Sequence, residues 1–204
     1  LFLTLFFTMI ASMVLGMGLP SIPAYIITST MAAPALAQLG IPVLVSHLFV
    51  FYFGLFANIT PPVALAAFAG AGISGGDPMK TGFQSLKLSI AGFLVPFMFV
   101  YNPAMLMIDV TTVATNATEF PIPPLFDIIS ITITSIVGVT ALSAAVEGYF
   151  ATRFIPITRV ILAAGALLLI VPETLTDVIG TVIVGILLTL NLLRAKREKS
   201  ALPL

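Results

Sequence analysis

The sequence contains no cysteine, which excludes disulfides, thiolate metal sites and cysteine nucleophiles. Charge is also scarce: charged residues make up 8% of the 204 residues, whereas a soluble domain is about one-quarter charged. Hydrophobic residues supply 59% of the chain and its mean hydropathy is +1.19. So little polar surface could not cover a fold in water, which predicts an integral membrane protein. The single histidine and the net charge of zero favour no nucleic-acid partner, and none is expected.

The beginning of the chain shows neither an initiator methionine nor a basic region ahead of its first apolar run. A secretory signal peptide has a charged start and a cleavage site with small residues. We therefore interpret Leu1 as a position inside a longer protein.

Long apolar stretches fill the second part of the chain, and a helix needs about 20 such residues to cross the roughly 30 Å hydrocarbon core. They predict about four transmembrane helices, at residues 86–107, 128–146, 157–171 and 178–193. The third stretch is short, and residues 174–177 after it are expected to form a compact turn. Residues 75–88 are consistent with an amphipathic surface helix. The predicted fold class is all-α and membrane-spanning.

The eight basic residues predict an orientation. Lys and Arg concentrate on the cytoplasmic side of membrane proteins, so the basic cluster at 194–199 places the C-terminus in the cytoplasm. Counting the spans backward then puts every other basic residue on the same side. Residues 109–127, which contain carboxylates but no Lys or Arg, become a periplasmic loop.

Two interruptions distinguish the first 73 residues. Residues 1–39 contain Gly-Met-Gly-Leu-Pro-Ser at 16–21, and residues 42–73 contain Asn-Ile-Thr-Pro-Pro at 58–62. Gly and Pro release backbone groups from a helix, and lipid tolerates such groups only beside protein or a polar cavity. We interpret 42–73 as a broken helix. Residues 1–39 fit two ordinary spans or a re-entrant hairpin, and the hairpin is favoured because a tight cytoplasmic turn usually attracts Lys or Arg.

Paired helix interruptions are typical of binding sites in transporters. Helix N-termini attract anions, and carbonyls and hydroxyls at free helix ends coordinate cations. The candidate ion- and substrate-binding residues are Gly16, Gly18, Pro20, Ser21, Asn58, Thr60, Pro61 and Pro62. Ser21, Asn58 and Thr60 are the expected Na⁺ ligands, all of them neutral because neither interruption contains a carboxylate.

The sequences at 16–25 and 57–66 resemble the large membrane (permease) subunit of TRAP transporters, the tripartite ATP-independent periplasmic family. The stretches at 47–54, 77–82 and 97–104 resemble its TAXI-type branch, in which the small and large membrane subunits are often fused. The resemblance is to the C-terminal part of such a permease and covers residues 1–108. Asn58 stands where TAXI-type members often have Asp, and Pro20-Ser21 stands where many members have Asp-Pro.

The resemblance implies an elevator-type secondary transporter with two inverted repeats, the second of which matches this chain. Residues 1–108 would form its transport region, with the re-entrant hairpin 1–39, the broken helix 42–73 and the span 86–107. Residues 128–204 would form further transmembrane helices and a basic cytoplasmic tail. The coupling ion is expected to be Na⁺, with no other cofactor, and the substrate an organic anion. The expected partners are a periplasmic substrate-binding protein and a fused small membrane subunit, in a bacterial inner membrane.

Two other classes of function compete with this interpretation. An intramembrane protease needs a Ser–His pair, paired Asp residues or a zinc site, and the chain supplies none of these, so no enzymatic activity is expected. A structural membrane subunit without its own transport site is the alternative. His47 fits pairing with a neighbouring helix better than a proton relay. Thr28, Ser29 and Thr30 either line the cavity or bond back to their own helix.

Overall fold

The computed structural model of the protein describes residues 1–109, 122–169 and 174–201. These residues fold into helices and contain no β-strand. Three helical stretches are long and apolar enough to cross a membrane, namely Pro78–Tyr101, Leu125–Glu147 and Thr176–Arg197. The predicted all-α membrane fold is therefore confirmed.

The chain divides into two compact units, unit 1 (Leu1–Ser89 and Val95–Pro123) and unit 2 (Ile90–Leu94 and Pro124–Leu204). Unit 1 contains α1 (Phe2–Gly16), α2 (Ser21–Met31), α3 (Ala33–Ala37), α4 (Val43–Phe56), α5 (Leu65–Ser74), most of α6 (Pro78–Phe93), α7 (Val95–Tyr101) and a 3₁₀ turn (Pro103–Leu106). Unit 2 contains α8 (Leu125–Glu147), α9 (Pro156–Leu168) and α10 (Thr174–Ala201).

Helix α4 forms the centre of unit 1, where α1, α2, α3 and α7 pack against it. Phe49 and Phe53 of α4 are fully buried. The ring centroid of Phe49 lies 4.9 Å from that of Phe53 and 5.3 Å from that of Phe97 on α7, in edge-to-face geometry. Such pairs contribute about 0.5–1.5 kcal/mol beyond burial of their area. The Phe-rich sequence of α4 thus serves packing between helices.

Small residues bring α9 and α10 of unit 2 close together. A Cβ atom at Gly180 would lie 2.9 Å from the carbonyl oxygen of Gly165, and one at Gly165 would lie 2.7 Å from Cγ2 of Ile183. Membrane helices commonly use Gly and Ala in this way, because lipid tails provide no hydrophobic drive for helix association. Leu162 and Ala166 of α9 are completely buried in this core.

A buried asparagine attaches the loop between α8 and α9 to α10. Asn191, only 4% exposed, accepts hydrogen bonds through Oδ1 from the amides of Ala151 and Thr152, both at 3.0 Å. Its Nδ2 donates to the carbonyl and hydroxyl oxygens of Thr152 at 3.1 and 3.0 Å. All hydrogen-bonding atoms of the amide are engaged, so Asn191 fixes this loop.

The predicted span 86–107 differs from the observed helices. Helix α6 already begins at Pro78, because the Asp77 carboxylate accepts a 2.8 Å hydrogen bond from the Lys80 amide and caps the first turn. The apolar stretch therefore runs from Pro78 to Tyr101, with an interruption at Leu94. Residues 78–88, which fit an amphipathic surface helix, belong to α6, and their location at the membrane surface stays a prediction.

Two predicted loop boundaries are wrong for a common reason. The periplasmic loop was expected to extend to residue 127, but α8 begins at Leu125 and places Asp127 in its first turn. Residues 174–177 were expected to form a turn, but they form the first turn of α10, with Asp177 within it. Acidic residues suit helix N-termini because they interact favourably with the dipole. Residues 110–121 and 170–173 of the predicted loops lie outside the described part of the chain.

The third of the four predicted spans is shorter than expected. Helix α9 has 13 residues, which corresponds to about 20 Å at a rise of 1.5 Å per residue. That length falls short of the roughly 30 Å hydrocarbon core. By length and composition, three helical stretches of the described residues, and not four, can cross a membrane.

Candidate ion and substrate site

The first interruption, residues 17–20, forms a tight turn between α1 and α2, which pack against each other. The Leu19 amide donates to the Gly16 carbonyl at 3.3 Å. Gly18 has a φ of +73°, a left-handed conformation that glycine adopts without steric cost. Pro20 then precedes the first residue of α2, Ser21. This turn is called the tip below.

The second interruption, residues 57–64, separates α4 from α5 and is called the break below. Its backbone forms local turns instead of a helix: the Ala64 amide donates to the Thr60 carbonyl at 3.2 Å, and the Ala66 amide donates to the Asn58 carbonyl at 2.9 Å. The Thr60 hydroxyl donates to the Phe56 carbonyl at 2.7 Å. The Pro61–Pro62 peptide bond is cis. Two prolines cannot supply the amide donors that a continuous helix requires.

The tip and the break lie next to each other. A Cβ atom at Gly18 would lie 3.8 Å from Cγ1 of Val63, which is ordinary van der Waals contact. Two residues earlier, at the end of α1, a Cβ atom at Gly16 would overlap the backbone of Gly54 on α4, whose Cα would be only 2.8 Å away. The hairpin therefore contacts α4 at its last turn and again within the break.

The eight predicted site residues differ in their burial. Gly16 and Thr60 are buried, and Asn58 and Pro61 are half-buried. The exposed members are Gly18, Pro20, Ser21 and Pro62. Of the three expected Na⁺ ligands, Thr60 and Asn58 thus belong to the packed break, whereas Ser21 is exposed at the start of α2.

In a comparison with protein families, residues 1–114 match the tripartite ATP-independent periplasmic transporter, DctM component. The chain belongs to this family. The match includes the tip and the break and ends before α8, so α8–α10 of unit 2 lie outside it. Comparisons with curated proteins and with solved structures return no match.

Membership in the DctM family makes this chain part of the large membrane permease of a TRAP transporter. This is a family of transporters and not of enzymes. It also implies a multi-pass location in the membrane and a periplasmic binding protein as partner. The resemblance that the sequence predicted for 1–108 is thereby confirmed at the level of the family.

The break of the permease presents backbone oxygens that no hydrogen bond engages. Within the described residues, the carbonyls of Ala57, Ile59 and Val63 accept no hydrogen bond. The Thr60 hydroxyl uses its proton for the Phe56 carbonyl, which leaves its lone pairs available. Neutral oxygens of this kind are ligands for hard cations, and among the described residues no group of three or more His, Asp or Glu could hold a metal.

Amide donors adjoin these oxygens. Helices α2 and α5 both begin without a side-chain cap, and the amides of Ser21, Ile22, Leu65 and Ala67 donate no hydrogen bond within the described residues. The positive ends of the two helix dipoles favour an anion. The tip and the break therefore combine acceptors for a cation with donors for an anionic group.

Two expectations about polar residues near the site can be compared with the structure. His47 pairs with a neighbouring helix, because its Nδ1 lies 3.0 Å from the Tyr25 hydroxyl on α2. Thr28, Ser29 and Thr30 all bond back to carbonyls of their own helix, at 2.9, 3.1 and 2.9 Å. Of the two possibilities for these three residues, the structure shows local bonding.

Sequence analysis missed two glycines that shape the site. Gly54 accommodates Gly16 on one side and Thr28 on the other, with the Thr28 methyl 3.3 Å from a Cβ built on Gly54. Gly82 of α6 faces the break, where a Cβ atom would lie 3.2 Å from Cγ of Pro61. A glycine among the bulky residues of α4 was the available signal, since membrane helices place small residues at close contacts.

Proposed function

We propose that residues 1–108 form the transport site of a Na⁺-coupled TRAP-type importer, as the second repeat of an elevator-type permease of the TAXI-type branch. The observation that carries the proposal is the contact between the tip and the break, with Gly18 against Val63. Because each interruption frees backbone groups, their contact collects these groups in one place. A structural subunit without its own site has no need for two adjacent interruptions.

In the proposed mechanism, Na⁺ binds to neutral oxygens of the break, with Thr60 and Asn58 as side-chain ligands and Ser21 contributing from the tip. The organic anion is held through a carboxylate by the open amides of α2 and α5. The bound cation offsets the anion's charge, which makes binding of the two favourable together. This coupling links uptake of the substrate to the sodium gradient.

The proposed setting is a bacterial inner membrane, with a periplasmic binding protein that delivers the substrate. The small membrane subunit is fused to the large one in the longer chain. The basic residues at the end of α10 place the C-terminus in the cytoplasm, since positive charge is retained on that side. In this proposal the tip lies within the membrane as part of a re-entrant hairpin that enters from the periplasmic side, as in the second repeat of the permeases that the sequence resembles.

Replacing Thr60→Val tests the ion site in the complete permease, reconstituted with its binding protein. The change removes one oxygen ligand while keeping the shape of the side chain. Loss of an interaction with a charged group costs about 1.5–3 kcal/mol, so the sodium concentration for half-maximal uptake should rise at least about tenfold. Ser21→Ala should raise it in the same direction. The measurement is uptake of labelled substrate as a function of external sodium.

Thr140→Val is the matched control, because Thr140 makes the same bond to its own helix, from its hydroxyl to the Ile136 carbonyl at 2.7 Å, but lies on α8. This variant should keep the normal sodium dependence. Unchanged sodium dependence in both Thr60→Val and Ser21→Ala would remove the proposed ion site. Uptake that needs no sodium gradient in the unaltered protein would rule out sodium coupling.

A further inference from the structure

The helices outside the family match have positive charge concentrated at one end. The end of α8, the loop from α8 to α9, the first turn of α9 and the last turns of α10 belong to unit 2. They contain six of the eight basic residues of the chain and two of its acidic residues, Glu147 and Glu198. The basic residues are Arg153, Arg159, Arg194, Lys196, Arg197 and Lys199.

The hydrogen bonds of Asn191 bring the two basic segments together. Its side chain binds Ala151 and Thr152 of the loop, and Arg153 follows directly in sequence. Arg194 lies three residues beyond Asn191 on α10, that is about 4.5 Å further along the helix axis and on the same side. Arg153 and Arg194 therefore lie at the same end of unit 2.

One arginine at this end has a structural role and is not available to a ligand. Arg159 donates from Nε to the Ala145 carbonyl at 2.8 Å and from Nη2 to the Val146 carbonyl at 2.6 Å. It thereby satisfies carbonyls at the C-terminus of α8, where a cation is favoured by the helix dipole. By contrast, the side chains of Arg153, Arg194 and Arg197 are exposed.

Aromatic side chains accompany the exposed arginines. Tyr149 and Phe150 are 54% and 37% exposed, and an isolated bridge between Tyr149 and Arg153 holds this part of the loop in a fixed turn. Tyrosine is enriched at the level of the lipid headgroups, where its ring meets the boundary of the apolar layer. A surface that combines such rings with arginines suits a ligand with an apolar part and a negatively charged part better than a ligand that is polar throughout.

We propose that this surface, formed by Tyr149, Phe150, Arg153, Arg194 and Arg197 with Lys196 beside them, binds the headgroup phosphate of an anionic phospholipid. Arginine contributes paired hydrogen bonds to phosphate oxygens, and the two rings contact the acyl chains. Basic clusters directly beside a membrane helix attract anionic lipid with about 1 kcal/mol per residue, or about fivefold in affinity. The bound lipid would then stabilise unit 2, whose loop carries half of the site.

Lipid binding can be measured by native mass spectrometry of the complete permease in detergent, titrated with phosphatidylglycerol. The double variant Arg194→Gln/Arg197→Gln should bind this lipid about 25-fold more weakly, at fivefold per charge. Arg153→Gln should weaken binding about fivefold, which would tie the loop to the same site. Higher salt should reduce the differences in lipid affinity between the variants, because it screens the attraction between exposed charges.

Lys80→Gln/Lys87→Gln is the matched control, since it removes two positive charges from α6 and should change lipid binding less than twofold. The proposal is overturned if phosphatidylcholine binds as tightly as phosphatidylglycerol, or if the control loses as much affinity as the arginine variant. Displacement of the lipid by millimolar inorganic phosphate alone would also overturn it, in favour of a soluble phosphate ligand.

Discussion

Uptake by the permease is expected to fall about 100-fold when Gly16 is replaced by alanine. The added methyl group would overlap the backbone of Gly54, whose Cα and carbonyl carbon lie 2.8 and 2.9 Å from the Cβ position. Backbone of a buried helix cannot move aside as a flexible side chain can, so α1 must shift away from α4. Overpacking of this kind costs about 1–3 kcal/mol, and a displacement of about 1 Å at a binding site lowers rates about 100-fold.

A shift of α1 would also displace the tip, because Gly16 is the last residue of α1 and the tip follows immediately. Moving α1 therefore separates Gly18 from Val63. The measurement is sodium-driven uptake in proteoliposomes, together with the thermal midpoint of the purified protein. Gly185→Ala provides the control, since a Cβ atom there has no neighbour within 4 Å. Normal uptake and an unchanged midpoint for Gly16→Ala would show that the close contact between α1 and α4 does not exist.

A large loss of stability is expected when Asn191 is replaced by leucine. The change removes the four hydrogen bonds of the side-chain amide and leaves the amides of Ala151 and Thr152 without acceptors. Each polar group that is left unsatisfied costs about 1–3 kcal/mol. The expected loss is about 2–6 kcal/mol, which would lower the thermal midpoint by about 5–20 °C for a chain of this size.

The control for this prediction is Thr189→Leu on the same helix, where the side chain is exposed. It makes a similar change from polar to apolar and should move the midpoint by less than about 2 °C, as surface substitutions do. The measurement is the thermal midpoint of both variants in detergent, followed by circular dichroism. Equal midpoints for Asn191→Leu and the unaltered protein would contradict the role assigned to Asn191.

The sequence predicted the two interruptions well because they depend on local chemistry. Gly18 adopts a positive φ in the turn between α1 and α2, and Pro61 and Pro62 occupy the gap between α4 and α5. Glycine permits a positive φ without steric cost, and proline supplies no amide donor to a helix. The apolar runs predicted the membrane helices for a similar reason, since the thickness of the bilayer fixes their length.

The errors concern features that depend on contacts distant in sequence or on helix ends. Asn191 acts through partners in a distant loop, and Gly54 through partners on α1 and α2, so the sequence does not show which residues they contact. The polarity of Asp127 and residues 174–177 indicates loops, but polar residues also begin helices, as they do here.

The end of α2 at Met31 follows from Pro34, which occupies the start of α3 and disrupts the preceding turn.

The most direct test of the account is cross-linking between the tip and the break. The chain contains no cysteine, so the pair Gly18→Cys and Val63→Cys supplies the only thiols of these 204 residues. A Cβ atom at Gly18 lies 3.8 Å from Cγ1 of Val63, so thiols at these two positions lie within reach of a short bifunctional reagent. The pair Gly18→Cys and Ile73→Cys is the control, because Ile73 lies near the far end of α5, about 12 Å further along.

In membranes that contain the complete permease, a short thiol-specific bifunctional reagent should cross-link the first pair within minutes and leave the second pair without a cross-link. The measurement is the fraction of protein that carries the cross-link, read by mass spectrometry of the joined peptides. That outcome would place the two interruptions in contact, as the proposed ion and substrate site requires. Equal and low yields for both pairs would mean that the tip and the break do not meet, and the proposed site would have to be abandoned.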